Sequence, residues 1–104
     1  MIVISGIITI DPAKRDAAIA AMRELMAETR KEKGCAAYVM SGDFENPGTI
    51  RLFEEWESQA AIDAHMQAPH MKKFGSQVGQ LGFKGMTLDR YEVSSKGPLG
   101  GPRR

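Results

Sequence analysis

A chain of 104 residues fits one domain of ordinary size, long enough to bury a modest core. Hydrophobic content of 42% beside 26% charged residues is that of a globular chain rather than a disordered one. With 14 Lys plus Arg against 13 Asp plus Glu, the basic excess that phosphate binding needs is missing, which argues against nucleic acid as a partner.

The first segment, Ile2 to Ile10, is uncharged and rich in β-branched residues, so it predicts a strand. It is too short to cross a bilayer and lacks a basic leader or a cleavage site. A cytoplasmic address without a membrane partner is therefore expected. Asp11-Pro12 is a helix start, Asp accepting backbone N–H bonds and Pro occupying N1. The apolar stripe Ala18, Met22, Leu25, Met26 predicts a helix of about twenty residues from Ala13 to Lys33, stopped by Gly34. Residues 36–44 predict a second strand, Glu45-Asn46-Pro47-Gly48 a turn, and 49–57 a third strand paired back as a hairpin. Ser58 caps a short helix to about Met66. Pro69 restarts a helical piece to about Gln80, and Phe83 to Val93 forms a last strand. Residues 94–104 hold glycine and proline breaks and little apolar content, and are expected to be a flexible tail behind a domain of residues 1–93.

The order β-α-β-β-α-β, with its second helix split, is the α+β ferredoxin-like arrangement, in which helices cover one face of a four-stranded antiparallel sheet. Strands one to three carry apolar residues at both parities. On the third, Ile50, Leu52 and Trp56 point one way and Phe53 the other. A sheet apolar on both sides, with helices for only one, predicts a homodimer.

The stretch Leu52-Phe53-Glu54-Glu55-Trp56-Glu57-Ser58, then Ala61-Ile62-Asp63-Ala64-His65 and Pro69-His70-Met71-Lys72-Lys73-Phe74, resembles the antibiotic biosynthesis monooxygenase family in its quinol monooxygenase branch. The resemblance spans about residues 2–93. It implies a dimeric α+β barrel and oxidation of a quinol-like or polycyclic phenolic molecule with O2, without cofactor or metal. A deprotonated quinol can give an electron to O2 itself, so the protein needs only to bind it, take its proton and exclude water. An imidazole, whose ordinary pKa is about 6.5, suits that proton transfer.

His65 shares a helical face with Ile62 and Met66, and the resemblance makes it the catalytic base or a hydrogen-bond donor; a buried structural histidine explains it equally well. Trp56 offers a flat wall to an aromatic substrate, though the largest core side chain is the commoner role of such a residue. Glu54, on the same strand face, is expected to pair either with His65 or with Arg51 or Arg90. Tyr38 and Met66 complete the expected substrate contacts, Tyr38 with packing as its alternative. His70 is expected to be exposed or capping, and Cys35 small and buried. Seven methionines suit an adaptable apolar pocket or irregular core filling.

Haem-degrading relatives of this fold carry a ligating histidine where this chain has Gly75, which argues against haem. No metal site is expected, because His65 and His70 are five apart with Pro69 breaking the helical register between them. A single cysteine, Cys35, permits neither an intrachain disulfide nor a thiolate cluster. Two other functions fit the same fold: isomerisation of a small carbonyl compound, which calls for more inward charge, and a non-catalytic ligand-binding or stress role.

Overall fold

The computed structural model describes residues 1–101. The chain runs β1 (Ile2–Ile10), a 3-10 turn (Pro12–Lys14), α1 (Arg15–Thr29), β2 (Cys35–Gly42), β3 (Thr49–Trp56), α2 (Gln59–Met66), α3 (Pro69–Gln77) and β4 (Phe83–Glu92). Each helix start follows from its caps. Asp11 Oδ1 accepts from Ala13 N–H at 3.0 Å, Ser58 Oγ accepts from Ala61 N–H at 3.2 Å, and Pro69 opens α3.

The four strands form one antiparallel sheet in the order β2-β3-β1-β4, which is the ferredoxin-like order. The register sets Tyr38 beside Glu54, Met40 beside Leu52, Leu52 beside Gly6 and Gly6 beside Leu88. Side chains alternate along a strand, so the even-numbered residues share one face, joined beyond the two register shifts by Cys35, paired with Trp56, and Phe83, paired with Ile10. On that face Ile2, Ile8, Ile10, Ile50, Leu52 and Trp56 are buried beneath Ala18, Met22 and Leu25 of α1, Ile62 of α2 and Phe74 of α3. At Gly6 the β1–β4 contact is so close that a Cβ would stand 2.0 Å from the Thr87 carbonyl oxygen.

The opposite face carries no helix. Val39 and Phe53 are each 41% exposed there, and Tyr91 is 50% exposed. Residues 94–101 form neither helix nor strand, yet Lys96 Nζ reaches back to Glu55 Oε2 on this face at 3.1 Å. The end of the expected tail, residues 102–104, lies outside the described residues.

The sequence reading errs on the first helix, which stops at Thr29 and not at Lys33. Beyond Met26 the apolar stripe has no further member, so nothing pulls another turn onto the sheet. The chain tightens instead into i→i−3 turns, Lys31 to Glu28, Glu32 to Thr29 and Cys35 to Glu32, before Gly34 reverses it at φ 87°. The Arg30 side chain fixes the turn by donating from Nε to the Tyr38 carbonyl at 2.9 Å. This early stop turns Glu32 out of the helix and toward α2 and α3.

Candidate active site

Between the helices and the β1–β4 side of the sheet lies a cavity of about 330 Å³. Its walls are aliphatic, methionine and phenylalanine side chains from both layers, among them Ile8, Leu25, Phe74 and Leu88. Four of the seven methionines line it: Met40, Met66, Met71 and Met86. Among the described residues three polar side chains reach it, Tyr38, Glu54 and His65. Such a lining suits a flat apolar ligand with one or two oxygens, since each polar group can then meet a partner.

His65 sits in the last turn of α2 and is 2% exposed. Its Nδ1 lies 2.6 Å from Glu32 Oε2, and the same oxygen lies 2.7 Å from His70 Nε2. A carboxylate only accepts, so both imidazoles donate N–H to it. In a neutral His65 ring the hydrogen is then on Nδ1 and the lone pair on Nε2, the nitrogen that Glu32 leaves unengaged. The ring is flanked by Trp56, with centroids 4.9 Å apart, and by Tyr38 at 5.5 Å. A basic nitrogen held by a carboxylate behind it and by aromatic packing beside it is the arrangement of an oriented general base.

The expectations for Glu54, Trp56, His70 and Pro69 need correction here. Glu54 pairs neither with His65 nor with Arg51 or Arg90; its Oε1 accepts from Trp56 Nε1 at 2.8 Å. Arg51 is engaged with Asp43 instead, and Arg90 with Gln59 and Glu92. Trp56 does not wall the cavity: fully buried, it packs behind His65 and holds Glu54. His70 is neither exposed nor capping but half-buried against Glu32. Pro69, expected to separate the two histidines, brings them together. The chain breaks at Gln67-Ala68, and the first turn of α3 returns beside the last turn of α2, with the rings 6.2 Å apart. Tyr38 and Met66 both line the cavity, Tyr38 2% exposed and Met66 at its rim, 51% exposed. Cys35 is half-buried, and burial raises its thiol above the usual range. Gly75 lines the cavity, with nothing within 4 Å of where a Cβ would stand.

Burial likewise raises the Tyr38 phenol, helped by the nearby Glu54 carboxylate, so this side chain is a hydrogen-bond donor at neutral pH. Burial also raises the Glu54 carboxyl, against the lowering effects of the Trp56 bond and of His65. The folded state then keeps a proton that the unfolded chain has released. Stability should fall as pH climbs through the window that opens at the ordinary value of 4.5. Glu54→Gln, neutral and still able to accept from Trp56, removes this loss. Its melting temperature should exceed that of the wild type near pH 8 and converge with it below about pH 4, as calorimetry across that range would read. A constant gap at every pH would assign the effect to packing.

The antibiotic biosynthesis monooxygenase family model matches residues 1–77. An uncharacterised Synechocystis protein, sll1783, is 29% identical over 89% of this chain, which spans 63% of that relative, less than two thirds of its length. The Escherichia coli protein named "Probable quinol monooxygenase YgiN" is 33% identical over 62% of this chain and 69% of its own. The solved structure of Rv0793 from Mycobacterium tuberculosis superposes with a TM-score of 0.83 at 25% identity, covering 93% of this chain and 98% of that one. No helix among the described residues is long and apolar enough to cross a membrane.

Proposed function

We propose that this chain, which belongs to the antibiotic biosynthesis monooxygenase family, is a homodimeric, cofactor-independent monooxygenase that oxidises a quinol-like or polycyclic phenolic molecule with O2. The observation that carries this reading is the cavity: apolar throughout except for Tyr38, Glu54 and a carboxylate-oriented His65. An isomerase acting on a small polar carbonyl compound would call for more charge than these walls offer.

In this reaction His65 Nε2 takes the phenolic proton, leaving an electron-rich anion. The anion passes one electron to O2, and the resulting radical and superoxide combine by forming a C–O bond. The peroxide then loses water, with the proton held on His65 going to the departing oxygen. The phenol loses a C–H hydrogen and gains a carbonyl, and the second oxygen atom leaves as water. The protein's part is to deprotonate, to hold the anion flat against apolar walls, and to keep solvent away from the peroxide. Tyr38 donates to a second oxygen of the substrate, and Met66 closes the rim.

The test is oxygen uptake by metal-stripped protein with reduced naphthoquinones and anthrones. Uptake above the uncatalysed rate supports the reading, and none with any of them removes it for those classes.

Dimerisation is supported by the bare sheet face carrying Val39, Phe53 and Tyr91. Light scattering should give twice the 11.4 kDa chain mass. Phe53→Asp, which sets a charge at the centre of that face, should give the single mass with the fold retained.

A further inference from the structure

We infer that Glu32, His65 and His70 form a site for a divalent cation of the Zn2+, Co2+ or Ni2+ kind, and that filling it switches off the base of the cavity. Glu32 Oε2, His65 Nδ1 and His70 Nε2 come from three separate elements, and all lie within 4.8 Å of one another. Two imidazoles and one carboxylate are a donor set for these borderline metals rather than for Mg2+ or Ca2+, which prefer oxygen alone. With a water in the fourth position they complete a tetrahedral shell.

The cluster is also reachable. The His65 side chain is only 3% exposed, but Glu32 is 15% and His70 20% exposed, and neither of these two lines the cavity. A cation can therefore enter from the outer surface while the cavity is filled. Metal–ligand bonds of about 2.0–2.2 Å place tetrahedral donors about 3.3 Å apart; from 2.6 and 2.7 Å now, Oε2 must withdraw by roughly 0.6 Å, and the two ring nitrogens, within 4.8 Å of one another, must come to the same spacing by small rotations of the rings. Glu32 lies in the turn after α1, outside any helix or strand, where such a movement costs little.

The switch follows from imidazole chemistry. Without metal, the Nδ1 hydrogen is donated to Glu32 and the lone pair is on Nε2. A metal on Nδ1 takes that lone-pair position, and a neutral ring must then carry its hydrogen on Nε2. The nitrogen that Glu32 leaves unengaged becomes a donor and can no longer take a proton. The switch rests on the reading of His65 as the base; the binding of metal does not.

The experiment uses tag-free protein titrated with ZnCl2 by calorimetry, with His70→Ala and Glu32→Gln beside the wild type. The wild type should bind one Zn2+ per chain, and each variant should lose at least about tenfold in affinity, the least that removing even a supporting partner costs a metal site. MgCl2 should not bind. Ring 1H–15N correlation spectra read the switch without any substrate: the His65 hydrogen should move from Nδ1 to Nε2 when Zn2+ is added. Binding that neither variant weakens overturns the site, and a His65 hydrogen that stays on Nδ1 overturns the switch. If both hold while the metal-free protein consumes no oxygen with any quinol, the monooxygenase reading fails and the metal site stands.

Discussion

His65→Ala should lower kcat/KM for oxygen uptake by about 10²–10⁴, the usual contribution of a positioned general base. His65 is the one cavity-lining side chain with a basic nitrogen, and Glu32 fixes which nitrogen that is. Truncation leaves a ring-sized space between Trp56 and Tyr38, open to the cavity, so added imidazole should restore part of the rate. A merely structural histidine would not be rescued this way, because a loss through misfolding is not repaired by a soluble base. His65→Gln, which can still donate toward Glu32 but cannot take a proton, separates the two further. It should fold like the wild type and remain as slow as His65→Ala.

Trp56→Ala should be the most damaging change to the fold. The indole is fully buried and is among the largest buried side chains, packed against the His65 ring. Deleting it leaves a cavity whose cost is about 3–5 kcal/mol. It also removes the donor to Glu54, leaving a buried carboxyl without its partner at a further cost of about 1–3 kcal/mol. A domain of this size has a total stability of about 5–15 kcal/mol, so the variant should be largely unfolded or close to it. Trp56→Phe keeps most of the volume and loses only the donor. It should fold, with its stability reduced chiefly by the Glu54 term, and combining it with Glu54→Leu should recover part of that loss. Urea unfolding of the three variants reads these differences directly.

What could be read from sequence was whatever depends on neighbours along the chain. Asp11-Pro12, Ser58 and Pro69 mark helix starts because capping is local chemistry. Strand parity put Ile50, Leu52 and Trp56 on one face and Phe53 on the other because alternation is a property of the extended chain. The element order then left one sheet topology, and β2-β3-β1-β4 is the one found.

The site was legible only in part. His65 is visible from its helical face, but its partner lies 33 residues away in a turn that the Gly34 stop signal makes look like the end of the helix. The end of the apolar stripe at Met26 is the one signal that α1 unwinds after Thr29, and it is masked by the charged residues that follow and by the stop signal at Gly34. Glu54 was assigned the wrong partner because two residues on one strand face, Glu54 and Trp56, satisfy each other two positions apart, a contact a parity argument does not rank. His65 and His70 looked separated for the same reason that they meet: Pro69 ends one helix and starts another, and the chain folds back at the junction.

In the proposed reaction the cavity around His65 performs oxygen chemistry with no metal. The most direct measurement is ¹⁸O₂ consumption by metal-stripped wild-type protein with a polycyclic phenol, product analysed by mass spectrometry. One labelled atom should enter each product molecule, at the newly formed carbonyl and not at the one derived from the phenol, O2 should be consumed one for one with product, and His65→Ala should lose the enhancement. Unlabelled product, or an uptake rate no greater than that of the phenol alone in buffer, would contradict it.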